Sequence, residues 1–174
     1  MKTFGHDVLN DLSHQQPEAA IIKLISRTEK ETMAAGRRLG ALLKPGDTVY
    51  LHGELGSGKT VFVKGVAGAF GIPAGEITSA SYTIAAEHEG ANGMPFYHID
   101  LYRLEDAVEA GEIGIEEYPG RNGIAVIEWA ERLLPGPLSG LKVSIKVTRG
   151  APVAREGPRE IIIEGIDEKD WNNS

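Results

Sequence analysis

The sequence predicts an α/β fold of three layers, with a mixed, mainly parallel central sheet and antiparallel hairpin additions. Three observations lead to this prediction. Residues 48–70 contain, in order, a β-prone segment, a glycine-rich loop and a segment of helical composition. Residues 123–127 are an unbroken apolar run, which is typical of strands buried on both faces of a parallel sheet. Finally, turn residues join two pairs of β-prone segments, which favours hairpins.

Composition limits the class of protein. The chain has 174 residues, a formal net charge of −7 and no cysteine. We expect a single domain over residues 18–166, a polar N-terminal extension over 1–17 and a polar tail over 167–174. The lack of cysteine excludes disulfides and favours a reducing compartment. Because no apolar run could cross a membrane or serve as a secretory signal, we expect a cytoplasmic protein without a membrane partner.

The first part of the chain is predicted to alternate strands and helices. Thr28 and Glu31 form a Thr-x-x-Glu pattern, in which two side chains satisfy free amides at a helix start. The predicted elements are an edge strand over Ala19–Ile25, a helix from Thr28 to about Leu43, a strand over Thr48–His52 and a helix over Val61–Phe70.

The second part is predicted to be mostly strands. Alternation over Phe96–Leu101 places Tyr97, Ile99 and Leu101 on one face of a strand. The predicted elements are a hairpin of Tyr82–Glu87 with Phe96–Leu101, one or two short acidic helices over Glu105–Tyr118, a buried strand over Gly123–Ile127, and a last hairpin of Leu141–Thr148 with Arg159–Glu164.

Residues 53–60, Gly-Glu-Leu-Gly-Ser-Gly-Lys-Thr, match the phosphate-binding pattern G-x-x-x-x-G-K-[ST], the P-loop. Glycines let the backbone adopt positive φ and turn its N–H groups toward a phosphate, while Lys59 neutralises phosphate oxygens and Thr60 ligates Mg²⁺. The following helix points its positive end at the same phosphates. The sequence therefore predicts a nucleotide site; the alternative is a glycine-rich turn with a surface lysine.

A P-loop nucleotidase also needs an acidic side chain at the end of a neighbouring strand, to hold Mg²⁺ directly or through water. Asp100 and Glu128 each follow an apolar strand segment, and the more uniform strand slightly favours Glu128. Either could instead be a surface carboxylate. His98 shares a strand face with Asp100, and we interpret it as a buried histidine with satisfied hydrogen bonds. Trp129 follows Glu128 and could pack in the core or form a contact surface.

The segment from Ser79 to Thr83 places hydroxyl groups at two-residue spacing between the P-loop helix and Asp100. In P-loop switch proteins such a segment contacts the γ-phosphate and changes its order with hydrolysis. Ordinary loop hydroxyls are equally compatible with the pattern.

Taken together, four segments resemble the TsaE (YjeE-type) family: residues 53–60, Thr78-Ser79-Ala80-Ser81-Tyr82-Thr83, Tyr97-His98-Ile99-Asp100-Leu101-Tyr102-Arg103-Leu104 and Val126-Ile127-Glu128-Trp129. The resemblance extends from about Ile21 to Glu164. It implies a small bacterial ATPase with ATP and Mg²⁺ as cofactors, required for threonylcarbamoyl-adenosine (t6A) modification of tRNA and acting with TsaB and TsaD. Because the chain is acidic, we expect it to make little direct contact with tRNA, which those partners would bind instead.

The resemblance also implies roles for individual residues. Lys59, Asp100 and Glu128 are catalytic, and Thr60 and Glu128 bind Mg²⁺. Contacts with ATP are assigned to Glu29 (or Thr32), Leu55, Gly56, Ser57, Gly58, Lys59, Thr60, Ser81, Asp100 and Arg159. One departure concerns residues 79–82: the family usually reads Ser-Pro-Thr followed by an aromatic residue, so this chain lacks the stiff proline but keeps a hydroxyl at Ser81.

Two other functions are compatible with a P-loop. A small-molecule kinase needs an arginine-bearing lid, whereas the stretch after Leu104 is acidic and suits a partner surface better. A binding module would hold ATP without hydrolysing it.

Overall fold

The computed structural model describes residues 20–79, 84–104, 117–118, 122–133, 139–148 and 157–174. Single turns of 3-10 helix lie at Ala91–Gly93 and Ala130–Leu133. The main elements, in chain order, are β1 (Ala20–Ser26), α1 (Glu29–Gly40), β2 (Thr48–His52), α2 (Lys59–Ala69), β3 (Ala85–Glu89), β4 (Pro95–Asp100), β5 (Ile124–Glu128), β6 (Leu141–Val147), β7 (Arg159–Ile166) and α3 (Glu168–Asn173).

The strands of the described residues form one sheet in the order β1-β7-β6-β2-β5-β4-β3. The four central strands β6, β2, β5 and β4 are parallel to one another. Antiparallel pairs extend the sheet at both edges, with β3 beside β4 and with β7 between β6 and β1. The predicted mixed sheet, parallel around β2 and antiparallel in its hairpins, is confirmed.

Both faces of the sheet are buried at the strands β2, β5 and β4. All five residues of β5 are buried between β2 and β4, as their unbroken apolar run predicts. On one face, α1 and α2 pack together and cover the sheet through residues such as Leu39 and Phe62. On the other face, a second apolar cluster around Tyr97 and Ile127 packs against the turn at Ala130–Leu133. Because β2, β5 and β4 are parallel, their carboxyl ends meet at one edge of this buried core.

The start of α1 shows the predicted capping pattern with one difference. Thr28 Oγ1 accepts a hydrogen bond from the Glu31 amide at 3.1 Å. The Glu31 carboxylate accepts from the amide of Arg27 at 2.6 Å, one residue before the cap. The helix ends at Gly40, before the predicted end near Leu43. Helix α2 begins at Lys59, two residues before its predicted start, because the last loop residues already form its first turn.

Other predicted elements have mixed outcomes. The hairpin of β3 with β4 is confirmed and pairs from Ala85 with Ile99, whereas residues 80–83 lie outside the described residues. Of the segment Glu105–Tyr118, predicted to form acidic helices, the structure describes only residues 117 and 118. The last hairpin is β6 with β7. Residues 168–173, within the segment interpreted as a polar tail, form α3 and bury Trp171 in the core. No helix within the described residues is long and apolar enough to span a bilayer.

Candidate functional site

The loop between β2 and α2 has the backbone conformation that its glycines allow. Gly53, Gly56 and Gly58 have φ angles of 149°, 81° and 104°, which side-chain-bearing residues rarely adopt. A Cβ atom at Gly53 would lie only 2.4 Å from the carbonyl oxygen of Ile145 on β6. The glycine thus lets the start of the loop lie directly against a core strand.

Lys59, the first residue of α2, is held by the loop that it follows. Its Nζ donates hydrogen bonds to the carbonyl oxygens of Gly53 at 2.6 Å and Glu54 at 3.1 Å. The same nitrogen lies 3.7 Å from the centroid of the Trp129 ring, which is a cation–π contact. Burial lowers the pKa of Lys59, and the nearby carboxylates, Glu128 first among them, oppose this shift.

Trp129 reaches this position through an uncommon backbone conformation. Its φ of 60° is the one positive value for a non-glycine residue within the described chain. A bulky residue in this region costs free energy, of the order of 1–3 kcal/mol, and such residues occur often at functional sites. The side chain of Trp129 lies against Lys59 and lines the cleft, and it also packs on the second apolar cluster.

Thr60 and Glu128, the two predicted magnesium ligands, are in contact. Thr60 Oγ1 donates to Glu128 Oε2 at 3.1 Å. The other carboxylate oxygen, Oε1, lies 2.9 Å from Nε2 of His98, and this histidine is buried, as the sequence predicts. Parallel pairing of β2 with β5 brings the end of β5 beside the loop. Both donor groups are oxygens, as Mg²⁺ prefers, so this pair fits the metal that a P-loop nucleotide requires.

Asp100 lies beside Glu128, because the two residues are paired in the register of β4 and β5. Its carboxylate accepts a hydrogen bond from the Tyr102 amide at 3.0 Å, and the Ser79 hydroxyl donates to it at 3.4 Å. Strand β4 is one strand further from β2 than β5 is. The strand order therefore places Glu128 closer to the P-loop, and Asp100 behind it.

A cleft of about 310 Å³ opens above these groups. The predicted contacts Glu29, Leu55 and Arg159 reach it from three different elements. Its lining consists of Glu29, Leu55, Gly56, Gly58, Lys59, Thr60, Val61, Ser79, Glu128, Trp129 and Arg159. Most residues that the resemblance assigns to ATP therefore share one cavity.

The remaining predicted contacts are placed differently. Of the alternatives Glu29 and Thr32, only Glu29 lines the cleft, since the Thr32 hydroxyl is buried against Ser26 and the Thr28 carbonyl. Ser57 is buried, and its carbonyl oxygen accepts from Nε of Arg159 at 3.0 Å. Arg159 thereby braces the loop from β7. Ser81 lies outside the described residues.

Sequence reasoning did not single out the pair formed by His52 and Glu131. Nδ1 of His52, the last residue of β2, lies 3.5 Å from Glu131 Oε2. Burial by itself raises the pKa of Glu131, but the contact with His52 and the charge of Lys59 lower it, and the net shift is downward. The sequence offers one signal for this pair, the carboxylate of Glu131 three residues after Glu128. Glu131 adds negative charge close to Lys59.

Comparison with known proteins identifies the family. The model of the family "Threonylcarbamoyl adenosine biosynthesis protein TsaE" matches residues 26–156. The chain belongs to the TsaE family. The matched range includes the P-loop, Asp100, Glu128 and Trp129, whereas Arg159 lies just beyond it. The family expected from the four sequence segments is thus confirmed.

Individual relatives support this TsaE assignment. The tRNA threonylcarbamoyladenosine biosynthesis protein TsaE of Treponema pallidum is 37% identical over 142 residues, covering 82% of this chain and 99% of the relative. TsaE of Bacillus subtilis is 37% identical over 127 residues, covering 73% and 77%. The crystal structure of Bacillus subtilis YdiB has a TM-score of 0.63 at 32% identity, over 87% of this chain and 89% of that one. The three-layer P-loop fold is therefore shown.

Proposed function

We propose that this chain is a cytoplasmic, magnesium-dependent ATPase that acts with the TsaB–TsaD complex in threonylcarbamoyladenosine modification of tRNA. The observation that carries the ATPase proposal is the contact between Thr60 and Glu128 at the base of a P-loop cleft. The names of the relatives, tRNA threonylcarbamoyladenosine biosynthesis proteins, support the biological role. The net charge of −7 suits docking on partner proteins better than direct tRNA binding.

In this proposal the loop amides and the N-terminus of α2 bind the phosphates of ATP. Lys59 exchanges its bonds to the carbonyls of Gly53 and Glu54 for β- and γ-phosphate oxygens. Thr60 and Glu128 would hold Mg²⁺, which would supply positive charge beside the transferring phosphoryl group. Asp100, beside Glu128, holds a water molecule on the γ-phosphate side.

In this proposal the bound nucleotide supplies some of the ligands of Mg²⁺. Within the described ranges, no group of three or more His, Asp or Glu side chains is arranged to bind a metal ion by itself. Mg²⁺ commonly takes one or two protein oxygens, with phosphates and water completing its octahedron. The proposal therefore expects the metal and the nucleotide to bind together.

The test is ATP turnover by the purified protein, measured as phosphate release with and without the TsaB–TsaD complex. We expect slow release by the protein alone, stimulation by the complex, and loss of activity in Lys59→Ala and Glu128→Ala. No stimulation and no loss in the two variants would overturn the proposal. Transfer of the phosphoryl group to a small acceptor would identify a kinase, and tight ATP binding without release would identify a binding module.

A further inference from the structure

His98 on β4 makes a buried contact with the proposed magnesium ligand Glu128. Its Nε2 lies 2.9 Å from Glu128 Oε1, and the two side chains are 3% and 2% exposed. His98 is paired with Val126 in the register of β4 and β5, so it reaches diagonally to the residue two positions further along β5. The contact therefore depends on the register of β4 and β5 in the sheet.

The two oxygens of the Glu128 carboxylate have different partners. Oε1 faces His98, and Oε2 accepts from the hydroxyl of Thr60 in the P-loop. A carboxylate that binds Mg²⁺ can only accept hydrogen bonds, so in the proposed metal site Nε2 of His98 is the donor. Because the carboxylate is planar, a bond that fixes Oε1 also fixes the direction of Oε2. The hydrogen bonds to His98 and Thr60 together hold the carboxylate plane so that one oxygen points to the phosphate loop.

We propose that His98 is a positioning residue for the magnesium site: it holds Glu128 Oε1 so that Oε2 points to the P-loop, where a metal ion beside Thr60 can replace the hydrogen bond from the Thr60 hydroxyl. The inference rests on the proposed function, which supplies the metal. Partners that orient a metal-binding carboxylate typically change metal affinity by about 10–100-fold when they are removed. A purely structural histidine would instead change stability and leave metal affinity as it was.

The experiment compares His98→Leu with His98→Gln. Leucine removes the donor, whereas the glutamine amide nitrogen can occupy a position close to that of Nε2. Binding of Mn²⁺, a paramagnetic substitute for Mg²⁺, is measured by electron paramagnetic resonance in the presence of ADP. Affinity for ADP alone is measured with EDTA present, and thermal unfolding checks the fold.

We expect His98→Leu to weaken Mn²⁺ binding about tenfold or more, with little change in ADP affinity in EDTA, and His98→Gln to restore most of the loss. The matched control is His88→Leu. His88 is a half-buried histidine on β3 whose ring packs 6.4 Å from that of Phe96, and its loss should leave Mn²⁺ affinity unchanged.

Two results would overturn the role of His98 and leave the proposed function intact. The first is unchanged Mn²⁺ affinity in His98→Leu while the wild type binds the ion. The second is a loss that appears equally for ADP in EDTA and is not rescued by glutamine, since this indicates general disruption of the cleft. If the wild-type protein binds no Mn²⁺ with ADP, the proposed function itself fails, and the role of His98 fails with it.

Discussion

The ammonium nitrogen of Lys59 lies 3.7 Å from the centroid of the Trp129 ring, on the wall of the candidate nucleotide cleft. The same nitrogen donates to two carbonyl oxygens of the loop. In the proposed complex Lys59 would give up some of these contacts for phosphate oxygens. We therefore expect the environment of the indole to change when a nucleotide occupies the P-loop.

Tryptophan fluorescence should report this exchange. The chain has two tryptophans, and Trp171 is buried in the core, with the Arg38 guanidinium 4.3 Å from its ring centroid. We expect ADP to change the emission of the wild type and of Trp171→Phe, because both keep Trp129, and to leave Trp129→Phe unchanged. A full ADP-induced change in Trp129→Phe would contradict the linkage.

Substitution of Gly53 should destabilise the protein. A Cβ atom there would lie 2.4 Å from the Ile145 carbonyl oxygen, in a backbone with φ of 149°. We expect Gly53→Ala to lower the free energy of unfolding in urea by about 1–3 kcal/mol. The control is Gly75→Ala, because a Cβ atom at Gly75 meets nothing within 4 Å. Equal unfolding curves for the two variants would refute the close approach of loop and strand.

The sequence predicts features that lie within continuous segments. Local composition and turn residues specify the P-loop, the buried strand β5 and both hairpins. Each of these features can therefore be recognised from a single stretch of sequence. Contacts such as Arg159 with Ser57, His98 with Glu128 and Lys59 with Trp129 depend on strand order and register instead. No local pattern specifies which strands are neighbours, and these contacts became visible only in three dimensions.

Helix α3 was missed for a different reason. Its residues are nearly all polar, and one buried side chain, Trp171, anchors it to the core. A single apolar residue in six gives no helical periodicity, so the sequence pattern could not predict the element.

Arg159 should affect nucleotide affinity through the loop. Its buried guanidinium donates from Nε to the Ser57 carbonyl at 3.0 Å. Lysine has no planar donor at that position. Since a hydrogen bond from a charged group is worth about 1.5–3 kcal/mol, we expect Arg159→Lys to weaken ADP binding about tenfold in calorimetry. The control Lys142→Ala removes an exposed ion pair on β6 and should not affect binding; equal effects would contradict a role for the brace.

The pair of His52 and Glu131 should affect the acid stability of the protein. Burial raises the pKa of Glu131, but His52 and Lys59 lower it more, so the folded state has a pKa below the ordinary 4.5. The unfolded state then binds protons first as the pH falls below 4.5, and stability is lost there. We expect the melting temperature of the wild type to fall more steeply between about pH 6 and pH 3 than that of Glu131→Gln.

The control for this prediction is Glu87→Gln, which removes an exposed carboxylate on the edge strand β3. The melting temperature of this variant should change with pH as that of the wild type does over the same range. Parallel curves for wild type and Glu131→Gln would show that the contact with His52 does not hold the glutamate in its ionised form.

The central claim is that Thr60 and Glu128 hold Mg²⁺ together with a nucleotide in the P-loop cleft. A crystal structure of the protein with ADP and Mg²⁺ tests this claim most directly. The account predicts the β-phosphate on the amides of residues 56–60, and the metal on Thr60 Oγ1 with Glu128 Oε2 bound to it directly or through one water. A nucleotide whose phosphates lie outside the loop, or a metal ion far from both side chains, would contradict it.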